Sequence, residues 1–474
     1  MDFALNRRRI IALLLILLSV LVPLVVPPVP VHADAGEGPL HSYLARLAAE
    51  DPEQVVEVIV AKRRGAKEDE IIRASGGKRL KSWGFIKAMR MRVPAKALSA
   101  LARHPGVAYV APDSPLRANL DQNATAAHFQ AGLDIQEFWN SHLGSGVGVA
   151  VIDSGVAAHP DLQNHTVNIV LPSVGDSQDA YGHGTHVAGI IAGNNPDGLH
   201  VGMAPQATIY NLRVTDDQGN TTESKVIDAL EWVYNNRAQF NIRVVNLSLQ
   251  STIPASYMSS PLDGAVERLW AVGIVVVVSA GNLGEEPNAT TYPPANDPFV
   301  ITVGAINDQN SKETADDSLI SWSAAGTTQD GFAKPEVLAP GYRILSTLAP
   351  GSDLGAQYPH LVDGQYIRLS GTSMAAPVVS GAAAVLLHRH PSLSPDQVKH
   401  LFMQHNRGVL AVPTMSAIFT VVTNPAAVPA ANQGLTPSLF ADPGSGSASS
   451  QVYYDNVYYD NVYYLNIQPD HLGD

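Results

Sequence analysis

The sequence predicts a three-layer, doubly wound α/β fold on a mostly parallel sheet, preceded by a small α+β unit. Three observations predict it. Between residues 147 and 280, apolar runs of six or seven residues alternate with longer helical stretches. Ahead of them, residues 41–117 alternate in strand fashion around two short helical segments. The charge also reverses sign between the two parts. Up to Arg117 there are 18 Lys and Arg against 11 Asp and Glu; the remainder carries 12 against 32, within a net charge of −13.

Composition bounds the rest. A chain of 474 residues has room for two or three domains and a large core. With 45% hydrophobic and 15% charged residues it is globular. It has no cysteine, which excludes a disulfide scaffold, a thiol nucleophile and a Cys-ligated zinc site. The acidic body speaks against nucleic-acid binding, and the opposite charges suggest that leader and body attract each other.

In chain order, Arg7, Arg8 and Arg9 precede an apolar run at 10–26, a Pro-rich stretch and the small-residue site Val31-His32-Ala33. This is the layout of a secretory signal over residues 1–33, with an uncleaved membrane anchor as the alternative. The arginines faintly resemble a twin-arginine signal. Residues 34–117 then read as strand (55–60), helix (67–73, stopping at Gly76-Gly77), strand (86–93), helix (94–103) and strand (106–110), approximating a split βαβ unit. In residues 118–410, buried strands are expected at 147–152, 208–214, 243–249 and 274–280, with helices at 183–192, 223–237 and 261–272. Residues 411–451 read as an extension ending in a Gly/Ser-rich linker from Ala441. Residues 452–474 carry a five-residue Val-Tyr-Tyr-Asp-Asn repeat, either an adhesive element or an appendage without catalytic importance.

Four polar residues stand where chains of this pattern react, at strand ends and helix starts. Asp153 follows the run at 147–152, and Asn282 follows the run at 274–280. His183 enters a helix from a Gly-rich turn, and Ser373 precedes an Ala-rich helix, with Pro377 four positions on. Taken singly, each is an ordinary turn or cap residue. Together they are the inventory of acyl transfer: a hydroxyl nucleophile, an imidazole base, a carboxylate to orient it and an amide donor for the oxyanion. The His183/His186 pair also allows a zinc site, although no recognised pattern completes it.

Ala150-Val151-Ile152-Asp153-Ser154-Gly155, His183-Gly184-Thr185-His186-Val187-Ala188-Gly189, Ser279-Ala280-Gly281-Asn282 and Gly371-Thr372-Ser373-Met374-Ala375-Ala376-Pro377 occur in that order. In these motifs the chain resembles the subtilisin-like serine peptidases, the subtilase (peptidase S8) family. The resemblance spans residues 121–408. It implies a subtilisin-like fold, peptide-bond hydrolysis through an acyl-enzyme, and a triad of Asp153, His183 and Ser373 with Asn282 in the oxyanion hole. It also implies that residues 34–117 are a ferredoxin-like propeptide that inhibits the enzyme within one chain and is removed by self-cleavage between residues 113 and 130. The product would be a secreted, extracellular monomer that acts on proteins and peptides and touches membrane only through its signal.

Substrate-binding segments map by the same resemblance to Gly219 and Asn220 and to Ser248, Leu249 and Gln250. Here the chain departs from the family, which usually has glycines where Gln250 and Ser251 stand, so their side chains are expected to narrow or reshape the specificity pocket. Val378, where many members have His, is a second departure. The resemblance implies no cofactor for the chemistry but allows structural calcium, for which the loop Asn194-Asn195-Pro196-Asp197-Gly198 is the candidate. The alternative from another class is a catalytically silent subtilase fold used for binding. The intact set Asp153, His183, Asn282 and Ser373 argues against it.

Overall fold

The computed structural model describes residues 39–118, 143–195, 200–284, 286, 289–309, 316–404, 422 and 424–441. The expected signal segment, the Gly/Ser-rich stretch from residue 442 and the Tyr-rich repeat lie outside the described residues.

The leader contains α1 (Ser42–Glu50), β1 (Val55–Lys62), α2 (Glu68–Ser75), β2 (Lys78–Trp83), β3 (Ala88–Pro94), α3 (Leu98–Ala102) and β4 (Val107–Pro112). Its strands form one antiparallel sheet in the order β2-β3-β1-β4. Two elements exceed the sequence expectation, α1 and β2. β2 reads Lys-Arg-Leu-Lys-Ser-Trp and lies at the sheet edge, mostly exposed, so it carries no apolar alternation to betray it.

The period-2 alternation of β1 explains how the leader is held. Val58 and Val60 point into a core closed by Leu44, Ile71, Leu98 and Leu101 of the three leader helices. Ile59 and Ala61 point the other way and join the main core of the body, together with Trp83, Ala88 and Tyr109. One face of the sheet thus serves the leader's own fold and the other its docking. After β4 the chain continues as β5 (Pro115–Ala118), which leaves the leader sheet altogether.

The body follows with β6 (Gly148–Asp153), β7 (Thr166–Ile169), α4 (His183–Ala192), β8 (Thr208–Arg213), β9 (Thr221–Thr222), α5 (Glu223–Asn236), β10 (Ile242–Leu247), β11 (Leu249–Ser251), α6 (Pro261–Ala271), β12 (Val275–Ser279), β13 (Ile301–Asn307), β14 (Ser318–Leu319), β15 (Gly326–Thr327), β16 (Ala333–Lys334), β17 (Val337–Pro340), β18 (Ile344–Thr347), α7 (Asp353–Gln357), β19 (Val362–Asp363), β20 (Tyr366–Leu369), α8 (Thr372–Arg389) and α9 (Pro395–Gln404). The central sheet has the order β14-β13-β12-β10-β6-β8-β7, with β17 also on β13. Every pairing is parallel except β13 with β14. Two helix pairs, α4 with α8 and α5 with α6, pack on it. This is the doubly wound α/β architecture that the alternation predicted.

The expected strand at 243–249 is split. β10 ends at Leu247, and Leu249 begins β11, which belongs to a separate three-stranded sheet. β7, β13 and β17 were not anticipated. β7 is a four-residue edge strand, and β13 contains Gly304, where a Cβ would lie 2.7 Å from the Leu338 side chain of β17. Part of the extension expected after residue 410 is close-packed. Phe440 is buried against Gly264 of α6, the Tyr257 hydroxyl donates to Thr436 O, and Asn432 Nδ2 donates to Phe299 O and Asp396 Oδ1.

Candidate active site

The carboxyl ends of adjacent parallel strands gather the polar residues. β6 ends on Asp153, whose Oδ1 accepts from the Ser154 N–H and lies 2.7 Å from His183 Nδ1. Both side chains are buried. His183 is the first residue of α4, and its approach to Asp153 depends on the next residue. A Cβ on Gly184 would lie 2.2 Å from Gly155 O and 3.1 Å from the Asp153 Cβ, so only glycine lets the helix start this close to the strand end.

A carboxylate that sequence reasoning missed fixes the helix start. Asp179 is fully buried and accepts from Ser154 Oγ, the Gly182 N–H, the Thr185 N–H and Thr185 Oγ1, at 2.5 to 2.8 Å. Burial pushes its pKa above the usual range, and these four donors oppose that shift. The anion satisfies backbone N–H groups at the start of α4, where a helix leaves donors free. An acidic residue four positions before His183, ahead of a Gly-rich turn, was the available signal.

Ser373 opens α8 in its first turn, after the cap residue Gly371. Its Oγ donates to Ser248 O at 3.1 Å. Pro377 lies inside α8 and has no N–H for the carbonyl four residues back. That carbonyl belongs to Ser373, and it accepts from Ser248 Oγ at 3.0 Å instead. Ser248 Oγ accepts from Asn246 Nδ2, and Asn246 Oδ1 accepts from Ser380 Oγ, so β10 and α8 are cross-linked behind the serine. In the β6–β10 pairing Asn246 stands beside Val151, and Ser248 follows Asn246 by two residues as Asp153 follows Val151. Neighbouring strands lie about 4.8 Å apart, so the Asp153–His183 pair and the Ser248–Ser373 pair occupy adjoining positions on one sheet edge.

Asn282 follows β12, one strand further along. Its Oδ1 accepts from the Thr372 N–H and Thr372 Oγ1, both at 3.0 Å. This orients the amide, and the Nδ2 group is buried without a hydrogen-bond partner. His183 Nε2 is likewise buried and unpartnered. Two such groups on one strand edge leave hydrogen-bonding capacity for a bound molecule.

β5 borders this site. It pairs antiparallel with β11 on one side (Ala118 with Leu249, Arg117 with Gln250, Leu116 with Ser251) and with β9 on the other (Leu116 with Thr221, Pro115 with Thr222). Leu249 and Gln250 stand on a strand that pairs with β5. Gly219 and Asn220 do not: they form a turn held by Asp216, whose Oδ1 accepts from the Asn220 N–H, and the pairing falls on Thr221 and Thr222. The leader is seated by polar contacts too. Asp113 accepts from Ser224 N and Oγ at the start of α5, while Lys81 and the Trp83 indole N–H reach Asp228 on the same helix. Glu223, buried beneath this contact, has its pKa pushed up to about 8, by burial first and then by the charge of Asp113.

His186 points away from His183. Its Nε2 lies 3.1 and 3.0 Å from the carbonyls of Ile344 and Ile367, and burial together with His183 pushes its pKa down to about 3. Among the described residues no group of three His, Asp or Glu could hold a metal ion. In the candidate calcium loop, Asn194 bridges to Val201 and Asn195 is hydrogen-bonded to the Tyr366 hydroxyl, while residues 196–199 lie outside the described residues.

A parallel α/β sheet with a carboxylate, an imidazole, an amide and a hydroxyl on its carboxyl edge holds the groups that acyl transfer uses. The model of the subtilase family, peptidase S8, matches residues 144–428, and the chain belongs to that family. It is a serine-type endopeptidase of the subtilisin-like class. The chain is 34% identical over 344 residues to the serine protease AprX of Bacillus subtilis (strain 168), covering 70% of this chain and 77% of the relative. It is 36% identical over 346 residues to subtilisin E of the same organism, covering 70% and 79%. Among solved structures it resembles fervidolysin from Fervidobacterium pennivorans, a keratinolytic enzyme related to subtilisin. The TM-score is 0.60 at 23% identity, over 77% of this chain and 61% of that one, a likeness of fold.

Proposed function

We propose that this protein is a secreted endopeptidase made as a zymogen, with Asp153, His183 and Ser373 as its triad and Asn282 as the oxyanion donor. The observation that carries the proposal is the placement of β5. It runs as an added strand between β9 and β11 and ends at Ala118, opposite the residue next to Ser248, whose carbonyl holds Ser373 Oγ. An extended peptide bound in this way has its backbone fixed on both sides before reaction.

In the reaction, the Ser373 hydroxyl turns from Ser248 O to His183 Nε2, gives up its proton and attacks the peptide carbonyl. Asp153 Oδ1 holds Nδ1–H, which keeps Nε2 as the basic nitrogen and stabilises the imidazolium. Asn282 Nδ2 and the Ser373 backbone N–H receive the oxyanion; the amide is pre-aimed because Thr372 occupies its oxygen. His183 then protonates the leaving amine, and water releases the acyl group by the same steps in reverse.

Residues 34–117 act as an inhibitor within the same chain, removed by self-cleavage beyond Ala118. The signal-like composition of residues 1–33 supports export. The Ser373→Ala variant tests the reading: it is expected to lose peptidase activity and to keep its leader covalently attached, whereas processing at the wild-type rate would contradict it.

A further inference from the structure

The register of β5 indicates which substrate residue meets the nucleophile. Ala118 faces Leu249, so the next residue of a strand in that register faces Ser248. Ser248 O is the acceptor of Ser373 Oγ, so that next residue is the one whose carbonyl is attacked. Facing residues share a side of the sheet and alternate along the strand, so its side chain falls on the side that carries Gln250.

On that side the space is already occupied. A Cβ on Gly281 would lie 2.5 Å from Gln250 Oε1, 2.7 Å from Nε2 and 2.9 Å from Cδ. The carboxamide of Gln250 therefore lies flat against Gly281, bridging the gap between β11 and the segment that leads into Asn282. Gly281 has φ +102°, which also excludes a side chain there. Gln250 is only 6% exposed, and its Nε2 is buried with no hydrogen-bond partner. A buried donor of this kind favours an arriving acceptor and penalises an apolar group that leaves it unpaired.

We propose that Gln250 sets the primary specificity of the enzyme. It shortens the pocket for the residue that donates the scissile carbonyl and selects a short, hydrogen-bonding side chain, asparagine foremost, over aromatic and long aliphatic ones. The inference rests on the endopeptidase reading above and names its substrate class. The chain's own sequence supplies the matching chemistry: the residue after Ala118 is Asn119, which assigns self-cleavage to the Asn119–Leu120 bond.

The test uses the processed enzyme and four peptides identical except for Asn, Ser, Leu or Phe before the cleaved bond. The wild type is expected to favour Asn over Phe by about tenfold or more in kcat/KM. Gln250→Gly is expected to erase most of that ratio by raising the rate on Phe. Gln250→Leu, which keeps the volume and removes the hydrogen bonds, is expected to lower the rate on Asn without raising that on Phe. A wild-type preference for Phe or Leu overturns the proposal even if neither variant folds, as does an Asn-to-Phe ratio unchanged in both. If the wild type cleaves none of the four and takes up no serine-directed reagent at Ser373, the endopeptidase reading falls and the specificity with it.

Discussion

Pro377 cannot donate to the Ser373 carbonyl, so that carbonyl turns to Ser248 and ties the backbone of Ser373 to the end of β10. Asp179 acts on the same principle from the histidine side. Both of its oxygens accept, and an amide in its place would set an NH2 group against N–H donors. Asp179→Asn is therefore expected to cost about 1–3 kcal/mol, read by denaturant unfolding in the Ser373→Ala background, where self-digestion is blocked. Asn282→Ala is expected to lower kcat about a hundred- to a thousandfold, the size of loss this donor carries in subtilisin itself, with KM nearly unchanged. A large rise in KM with kcat preserved would assign Asn282 to binding instead. Asp153, His183, Asn282 and Ser373 were legible because chemistry and motif coincide in them. Asp179 was not, because a buried carboxylate that only organises N–H groups looks in sequence like any turn acid.

Most long buried elements were legible, whereas β13, buried almost throughout, was missed because Gly304 interrupts its apolar run. The helix at His183–Ala192 is where the sequence placed it, since an all-buried helix of ten residues has few alternatives. The polar edge strand β2 and the short β7 offered no periodicity. The break between β10 and β11 was hidden because Ser248 interrupts an apolar run without a glycine or proline. Gly184→Ala puts a methyl group into Gly155 O and is expected to abolish maturation, seen as leader-retaining, reagent-insensitive protein. Where the leader meets α5, a pH dependence follows. Glu223 keeps its proton up to about pH 8 while the leader covers it; the share of the rise that comes from Asp113 is lost when the leader leaves, so the free body gives up that proton at lower pH. The complex therefore holds more protons than its separated parts below about pH 8, and leader affinity falls as pH rises toward 8. Inhibition by the separated leader is expected to weaken about tenfold or more over this range, and Glu223→Gln to flatten the curve; strengthening with pH would contradict the assignment.

Across the whole molecule, the opposite charges of leader and body have a counterpart in contacts such as Lys81 with Asp228 and Glu231. Charge counts could predict attraction but not its site. Nor could composition show that the leader sheet shares the body's core, because that depends on which alternate residues of β1 face outward. The packed extension at 424–441 was unreadable for a similar reason: its anchors, Phe440 and Asn432, are isolated in a Pro- and Ala-rich stretch. Phe440→Ala is expected to cost about 3–5 kcal/mol and lower the melting temperature, while deletion of residues 442–474 is expected to leave both melting and peptidase activity unchanged. The most direct test of the central claim is the intact mass of the secreted product from wild type and from Ser373→Ala, made side by side. The wild-type product is expected to have lost residues up to Asn119 and the variant to retain them; identical processing of the two would show that Ser373 does not cut its own chain.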